Sequence, residues 1–214
     1  QGFTKEVDFV SCYLPADKFQ MPERVQQIAE RVMQRGHLDV KKFASKRELI
    51  SWADRIGKAY NNAFVNNWEY YPLSPREIKF VVDNILTIAD HRLIKIITHG
   101  EDVVGFLFAF HDVSVAMQRA KGKLFPFGLL DIMRELRRTK TVAVNGMGIL
   151  PQHQGHGGNA LLYYAMGNTL LNFQQFTHVE MTQVAESAEQ MRADLKNLNG
   201  VEYKNHRVYR KELA

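Results

Sequence analysis

The stretch Pro151-Gln152-His153-Gln154-Gly155-His156-Gly157-Gly158-Asn159-Ala160 lies between an apolar segment, 141–149, and a segment with helical apolar spacing, 157–173. Three glycines within four residues let the backbone turn tightly and expose successive N–H groups. Together with the positive end of a following helix, such groups bind phosphate oxygens. The stretch therefore predicts a strand–loop–helix unit that binds phosphate, with an ordinary glycine-rich turn as the alternative.

Two other phosphate loops fit this stretch less well. The run 155–160 matches the G-x-G-x-x-A dinucleotide fingerprint, but residues 150–154 separate it from the strand, and only one crossover follows. A Walker loop needs a lysine followed by Ser or Thr after the glycines, and none is present. The loop therefore indicates a different class of phosphate site.

The elements on either side of the loop alternate between strands and helices. Residues 93–98 and 103–111 are predicted as strands, and because only 99–102 separate them they should form an antiparallel hairpin. The remaining predicted strands are 7–14, 38–43, 141–149, 177–184 and 201–213, and the predicted helices are 22–36, 45–60, 74–89, a pair within 113–138, 157–173 and 187–198. The apolar interruption 122–128 is expected to pack against the protein. The pattern predicts a mixed α/β fold.

The composition is that of an ordinary globular protein. The chain has 214 residues, 45% hydrophobic and 24% charged, which excludes collagen, low-complexity disorder and a disulfide scaffold. No apolar run reaches the roughly 18 residues of a membrane span, so we expect no membrane partner. Cys12 is the single cysteine, which favours a reducing, cytoplasmic setting. The chain begins without Met, and we expect it to be a cut-down or processed form.

The formal net charge of +5 is modest. The densest run of basic residues in the sequence, 134–140, lies at the polar end of a predicted helix, where such runs are usually solvated. Attraction to phosphate is indicated, but no recognition motif accompanies the charge. Nucleic acid is therefore the less favoured partner.

The loop resembles that of the GNAT superfamily of acyl-CoA-dependent N-acetyltransferases, approximately Pro-x-x-Arg/Gln-Gly-x-Gly-x-Gly/Ala. Pro151, Gln154, Gly155 and Gly157 match, whereas Asn159 departs from the final small residue. The resemblance covers 37–214 and implies a mixed sheet with a splayed central parallel strand pair. It predicts a GNAT-like acyltransferase domain at 37–214 after a strand–helix extension at 1–36. The chain is also similar to the C-terminal half of tandem GNAT-like bacterial proteins, so the extension is interpreted as the tail of a preceding domain.

The resemblance implies acetyl-CoA or another acyl-CoA as co-substrate. Gly146 and Gly148 are unfavourable inside a strand unless it bulges or a ligand approaches, and the family's cleft for the pantetheine arm would explain them; a local twist is the alternative. Residues 177–184 would form its far wall. His153 and His156 are spaced like metal ligands but lack a third, so no metal is expected. The expected acyl-CoA-binding residues are Ile149, Leu150, Gln154, Gly155, His156, Gly157, Gly158, Asn159 and Ala160.

Acyl transfer to an amine needs a proton acceptor, oxyanion donors and a way to stabilise the thiolate. Glu180, central in its predicted strand, is the candidate proton acceptor, and the backbone near Met147 is the candidate oxyanion donor. The family often has a Tyr on the last helix, but the matching place near Lys196 lacks one. Tyr209 is therefore the candidate acid, with Tyr203 as the other closing-strand tyrosine.

Trp68, Tyr70 and Tyr71 lie in the loop that borders the acceptor site in GNAT folds, and they predict an aromatic-lined pocket. The expected function is an acetyltransferase or other acyltransferase acting on an amine, which could be a small amine, a peptide N-terminus, a lysine or a lipid-linked amine. The alternative is a non-catalytic acyl-CoA sensor or scaffold, favoured by the missing helix Tyr. A homodimer is also expected, because the lone opening strand can extend a neighbour's sheet.

Overall fold

The structure is a computed structural model that describes residues 2–16, 19–65 and 67–212, without the side chains of residues 85–88. Within these ranges the chain forms seven strands and eight helices. The strands are β1 (Thr4–Pro15), β2 (Asp39–Lys41), β3 (Ile94–His99), β4 (Asp102–His111), β5 (Thr141–Ile149), β6 (His178–Ala185) and β7 (Val201–Arg210). The helices are α1 (Glu23–Arg35), α2 (Lys46–Ser51), α3 (Ala53–Phe64), α4 (Pro75–Ile88), α5 (Ser114–Ala120), α6 (Gly128–Arg138), α7 (Gly158–Phe173) and α8 (Glu189–Asn197).

The strands form one mixed sheet in the order β2-β3-β4-β5-β6-β1-β7. β3 and β4 form the predicted antiparallel hairpin, and β5 and β6 form the predicted parallel pair. The parallel ladder begins with Thr141 opposite His178 and ends with Val144 opposite Met181. The mixed α/β fold expected from the sequence is confirmed. The predicted strand 201–213 includes Leu213, which lies outside the described residues.

Most predicted elements are found within a few residues of their expected ends. Gly36 closes α1 in the left-handed conformation, with φ of 64°. Ser45 caps α2 by accepting a hydrogen bond from the Glu48 N–H, and Ser74 and Glu77 cap α4 reciprocally. The helix predicted at 45–60 is wrong as one element, because it breaks at Trp52, whose ring packs against Phe43.

Residue contacts divide the chain into two compact units. One contains 1–20, 111–145 and 174–214, and the other contains 21–110 and 146–173. β1 lies in the first unit, hydrogen-bonded antiparallel to both β6 and β7, whereas α1 lies in the second. The boundary at residue 36, between an extension at 1–36 and a domain at 37–214, stays a prediction.

The first unit is built around β1. Ser11, Cys12 and Val142 are almost fully buried. Asp8 accepts two hydrogen bonds from Arg207, at 2.8 and 2.9 Å, and its carboxylate lies 3.3 Å from Lys5 Nζ. The hydrogen bonds from Arg207 hold the pKa of Asp8 well below its usual range. This cluster fixes β1 against β7.

The second unit has a core of branched and aromatic side chains from β3, β4, α2 and α7. The residues with the least exposure include Leu49, Leu93, Ile96, Ile97, Phe106, Leu107, Leu161 and Leu162. Helix α1 packs on α7, which brings Ile28 and Val32 beside the start of α7. The helix after the glycine loop is therefore held on both sides.

Lys95 on β3 is a half-buried cation of this unit. Its Nζ donates to the Arg92 carbonyl at 2.7 Å, and burial, with Lys42 nearby, lowers its pKa from 10.5 to about 8. The unfolded chain therefore binds more protons between about pH 8 and 10.5, so the free energy of unfolding should rise with pH across this window. Lys95→Met should remove that rise, measured by urea unfolding at several pH values. Lys58→Met, at an exposed lysine on α3, should leave it unchanged, and an unchanged slope in Lys95→Met would contradict the assignment.

Candidate functional site

The glycine loop is held firmly to the end of β5. The Leu150 N–H donates to the Val104 carbonyl at 2.9 Å, and a short 3-10 turn spans Pro151–His153. The Gln154 side chain donates through Nε2 to the Ile149 carbonyl at 3.0 Å. Gln154 thus braces the loop with its side chain, and its backbone N–H donates to the Pro151 carbonyl at 3.3 Å.

Two loop glycines adopt the left-handed conformation that favours glycine, Gly155 with φ of 78° and Gly157 with φ of 84°. A side chain at Gly155 would meet open space, whereas a Cβ at Gly157 would lie 2.7 Å from Val32 and 3.0 Å from Ile28. Gly157 is therefore required by packing against α1 as well as by its turn. No local feature of the sequence shows this second requirement, because α1 is more than 120 residues away.

Helix α7 begins at Gly158, directly after the loop. The N–H of Leu161 donates to the Gly157 carbonyl at 3.1 Å, which closes the first helical turn. The N–H groups of the first turn of a helix face its positive end. His156 beside them is exposed. The loop and this helix end therefore form a site with the chemistry to bind an anion.

The predicted binding residues differ in what they can offer. Gly155 and His156 are exposed and Asn159 is half-buried, whereas Gly158 and Ala160 are buried. Met147, Ile149 and Leu150 are also buried, so a ligand can reach them only through backbone groups. The structure brings the nine predicted residues together in one segment of the second unit.

The strand glycines before the loop have a structural explanation. Gly146 has φ of 115°, which places a left-handed residue in the middle of β5. A Cβ at Gly148 would lie 2.8 Å from the Phe106 ring and 2.9 Å from Ala63. Gly148 therefore makes room for packed side chains. The interpretation that a ligand approaches this backbone is unnecessary at Gly148, although the conformation of Gly146 fits a bulge.

An aromatic cluster packs on this part of β5. The Phe106 ring lies 4.8 Å from Phe108, and 5.6 Å from both Tyr60 and Phe64, between ring centroids. Tyr70 completes it at 6.2 Å from Tyr60. Burial raises the pKa of both tyrosine hydroxyls, so they stay protonated at neutral pH. The sequence predicted an aromatic-lined pocket but missed four of these five residues.

Of the loop aromatics, Tyr70 joins the cluster through ring contacts with Tyr60 and Phe64. Its hydroxyl donates to Asn61 Oδ1 at 2.6 Å, and Asn61 also hydrogen-bonds both backbone groups of Leu73. Tyr71 is 80% exposed and Trp68 is 39% exposed. Asn61 was not predicted, yet it fixes the conformation of the loop. The role of Trp68, Tyr70 and Tyr71 in acceptor binding stays a prediction.

Glu180 lies on β6 in the first unit, half-buried. Its Oε1 accepts hydrogen bonds from the Tyr203 hydroxyl and, at 3.0 Å, from Lys204 Nζ. Desolvation and the bond to Glu180 raise the pKa of Tyr203, so its hydroxyl keeps its proton at neutral pH. The bonds to Tyr203 and Glu180 raise the pKa of Lys204. These three residues form a carboxylate, a phenol and an ammonium in direct contact.

The structure places Tyr203 at Glu180, and Tyr209 elsewhere on β7. Tyr209 pairs with Lys5 and is exposed. Tyr13 on β1, opposite Glu180, brings its ring within 6.4 Å of the Tyr203 ring. The catalytic assignments of Glu180, Met147 and Tyr209 remain predictions, and the geometry favours Tyr203 over Tyr209 as the tyrosine that acts with Glu180.

A bulge follows Glu180 on β6. From Val10 to Cys12, β1 advances by two residues. The segment of β6 that pairs with it, from Met181 to Val184, advances by three. Gln183 takes φ of 58°, which is uncommon for a residue with a side chain. The sequence gives no indication of this bulge. Bulges of this kind re-aim side chains near sites, and here the bulge marks where the parallel ladder with β5 has ended.

The last helix has no tyrosine in its described residues. α8 ends at Asn197, and Gly200 donates its N–H to the Leu195 carbonyl at 2.9 Å. Among the described residues, no group of three His, Cys, Asp or Glu side chains could hold a metal. In the same part of the chain, no helix is both long and apolar enough to cross a membrane.

With this geometry established, comparison with solved structures identifies the fold class. A GCN5-related N-acetyltransferase from Sphaerobacter thermophilus superposes over 98% of this chain and 53% of its own, with a TM-score of 0.59 and 10% identity. A tandem GNAT protein from the clavulanic acid biosynthesis pathway superposes over 97% of this chain and 54% of its own, with a TM-score of 0.56 and 10% identity. The chain has the fold of the GNAT superfamily, as its loop predicted.

Two curated proteins are similar in sequence over nearly the whole chain. A bacterial ceramide synthase from Caulobacter vibrioides is 23% identical over 222 residues, which is 100% of this chain and 56% of the relative. Protein YghO from Escherichia coli is 19% identical over 221 residues, 99% of this chain and 55% of the relative. The chain spans about half the length of these curated relatives. A scan against protein-family models finds no match.

Proposed function

We propose that the chain is an acyltransferase that moves an acyl group from coenzyme A to an amine. The observation that carries the proposal is the braced glycine loop, with Gly155 and Gly157 in the left-handed conformation, leading into a 16-residue helix in a GNAT fold. The pyrophosphate of acyl-CoA would lie on residues 154–160. Backbone groups of Met147, Ile149 and Leu150 would hold the pantetheine arm and the developing oxyanion.

The chemistry needs an amine without its extra proton. Glu180 is the proposed proton acceptor, directly or through water, and Tyr203 is the proposed donor to the departing thiolate, since its raised pKa keeps its proton in place. When Tyr203 gives up that proton, Glu180 can pass on to it the proton taken from the amine. Lys204 would balance the negative charge that then spreads over Glu180 and Tyr203.

The acceptor class we favour is a lipid-linked amine. A ceramide is by definition an amide between a fatty acyl group and a long-chain amino alcohol, and the Caulobacter relative is a ceramide synthase. A small amine, a peptide N-terminus and a lysine are the other acceptors. Coenzyme A thioesters are cytoplasmic metabolites, and with the single Cys12 they support a cytoplasmic location. Nucleic acid binding and a homodimer remain secondary proposals.

The test of the donor site is titration calorimetry with acetyl-CoA and with palmitoyl-CoA. His156→Glu places a negative charge beside the proposed pyrophosphate, and it should weaken binding by about tenfold or more. Gly157→Glu is unsuitable, because any side chain there collides with Val32 and Ile28. Gln118→Glu, at an exposed position of α5, is the matched control and should bind like the parent. Equal binding by all three proteins would refute the site.

A non-catalytic acyl-CoA sensor or scaffold is the second candidate, favoured because described residues of α8 hold no tyrosine. Turnover separates the two functions. A panel of long-chain amino alcohols, small amines and peptides, assayed for release of free coenzyme A, should include an acceptor if the chain is an enzyme. Tight acyl-CoA binding with no acceptor in the panel would establish the sensor.

A further inference from the structure

The helix pair α5–α6 and its connecting loop expose an unusually apolar surface. Its exposed side chains include Met117, Leu124, Phe125, Phe127, Leu130 and Met133, which we call the α5–α6 patch. Phe125 is 86% exposed and Phe127 is 77% exposed. The sequence-based expectation that loop 122–128 packs against the protein is wrong. Contiguous exposed apolar surface of this kind marks an interaction site.

The loop is held in this outward arrangement by its own backbone. The Lys123 N–H donates to the Ala120 carbonyl at 2.9 Å, and the Leu129 N–H donates to the Leu124 carbonyl at 2.8 Å. Gly128 is buried, and a Cβ there would lie 2.2 Å from the Lys123 carbonyl oxygen. The loop is therefore a closed turn that presents its aromatic side chains to solvent. Their exposure follows from the turn.

The charge of this segment is strongly positive. Residues 113–140 contain seven Lys or Arg and two Asp or Glu, so the segment alone accounts for the net +5 of the whole chain. Arg119 binds both acidic side chains, Asp131 at 2.8 Å and Glu135 at 2.5 Å. The other six basic side chains are exposed and make no ion pair with a described residue; they are Lys121, Lys123, Arg134, Arg137, Arg138 and Lys140.

We propose that the α5–α6 patch docks on the surface of an anionic lipid bilayer. Exposed aromatic and aliphatic side chains, on a helix pair whose exposed basic side chains make no ion pair with a described residue, match acyl chains beneath negatively charged headgroups. A second copy of the chain is a less favourable partner, because it would bring two segments of net charge +5 together. Nucleic acid is also less favourable, because it would contact the exposed apolar side chains of the α5–α6 patch. The sequence-based expectation of no membrane partner considered spanning segments, whereas this contact needs none. The proposal does not depend on the acyltransfer activity.

The test is sedimentation of the 214-residue chain with vesicles of phosphatidylcholine, alone and mixed with phosphatidylglycerol. Binding should favour the anionic vesicles and weaken as salt increases. The double variant Phe125→Ser with Phe127→Ser should weaken binding by about tenfold or more. The double variant Arg137→Glu with Arg138→Glu should remove the preference for anionic vesicles. These vesicles contain no acyl-CoA and no amine substrate, so the result is separate from that of the activity assays.

Matched controls lie on other helices. Phe80→Ser replaces an aromatic on α4 that is 68% exposed, and Arg24→Glu with Arg31→Glu makes the same charge change on α1. Both controls should bind vesicles like the parent chain. Failure of the parent to sediment with anionic vesicles, or equal losses in patch and control variants, would overturn the proposal. A dimer that the Phe125 and Phe127 substitutions dissociate would instead assign the patch to a second copy.

Discussion

Phe106→Ala is expected to lower the free energy of unfolding by about 3–5 kcal/mol, the range for emptying a fully buried aromatic site. The Phe106 ring is completely buried and touches the rings of Tyr60, Phe64 and Phe108. Its neighbours cannot collapse into the space, because the backbone of β5 lies on one side and α3 on another. Urea unfolding followed by circular dichroism measures the change.

Phe80→Ala is the control for that measurement. Its ring on α4 is mostly exposed, so its removal should change stability by about 0.5 kcal/mol or less. A loss in Phe106→Ala as small as the control's would show that the aromatic cluster does not form the core described.

Coupling to Gly148 tests the same packing more sharply. Gly148→Ala puts a Cβ 2.8 Å from the Phe106 ring and 2.9 Å from Ala63, so it should be destabilising in the parent. Shortening the neighbour with Phe106→Leu removes the colliding ring atoms but leaves Ala63 in place. The penalty of Gly148→Ala should therefore shrink in the double variant without vanishing. Additive effects would contradict the contact between Phe106 and Gly148.

The sequence predicted the elements well because their signals are local. Pro22 and Gly36 bound α1, Ser45 and Ser74 cap helices, and the short connection 99–102 specifies a hairpin. The sequence did not predict the break at Trp52, because the helical apolar spacing continues across it. The placement of β1 between β6 and β7 depends on contacts nearly 200 residues apart, such as Asp8 with Arg207, and no local pattern encodes them.

The candidate site could be predicted from the sequence about as well as the helices and strands. The glycine loop and its helix follow from spacing and residue type, and the resemblance suggested the acyl-CoA that we propose as co-substrate. The partners that fix these residues were not predictable, since Gly157 contacts Val32 and Ile28 on α1 and Asn61 binds the backbone of Leu73. Gln154 binds the Ile149 carbonyl within its own loop, and the residue type alone does not show this bond. The exposed loop 122–128 was misinterpreted for a related reason: apolar content indicates burial only when a protein surface is available to cover it.

In the proposed acyl transfer Glu180 is the proton acceptor, and Glu180→Gln is expected to lower kcat by about a hundredfold or more. The amide keeps the shape and can still hydrogen-bond Tyr203, but it cannot take the proton that the acceptor's ammonium group must lose before the amine attacks. The loss should be largest at low pH and narrow as pH rises, because the amine then loses its proton to water. Initial rates across pH with a fixed acceptor measure this, and acyl-CoA affinity should stay nearly unchanged.

Two further variants separate catalysis from structure. Glu202→Gln, at the neighbouring carboxylate on β7 that pairs with Arg192 at 2.9 Å, should leave the pH profile unaltered. Tyr203→Phe should lower kcat less than Glu180→Gln does. A thiol has an ordinary pKa near 8.5, so its anion is an adequate leaving group at neutral pH without a proton donor. Tyr209→Phe should lower kcat least, because Tyr209 pairs with Lys5 on β1 and lies further along β7 than Tyr203, which contacts Glu180. Equal pH profiles in Glu180→Gln and the parent would exclude Glu180 as the proton acceptor, and the requirement would then pass to ordered water.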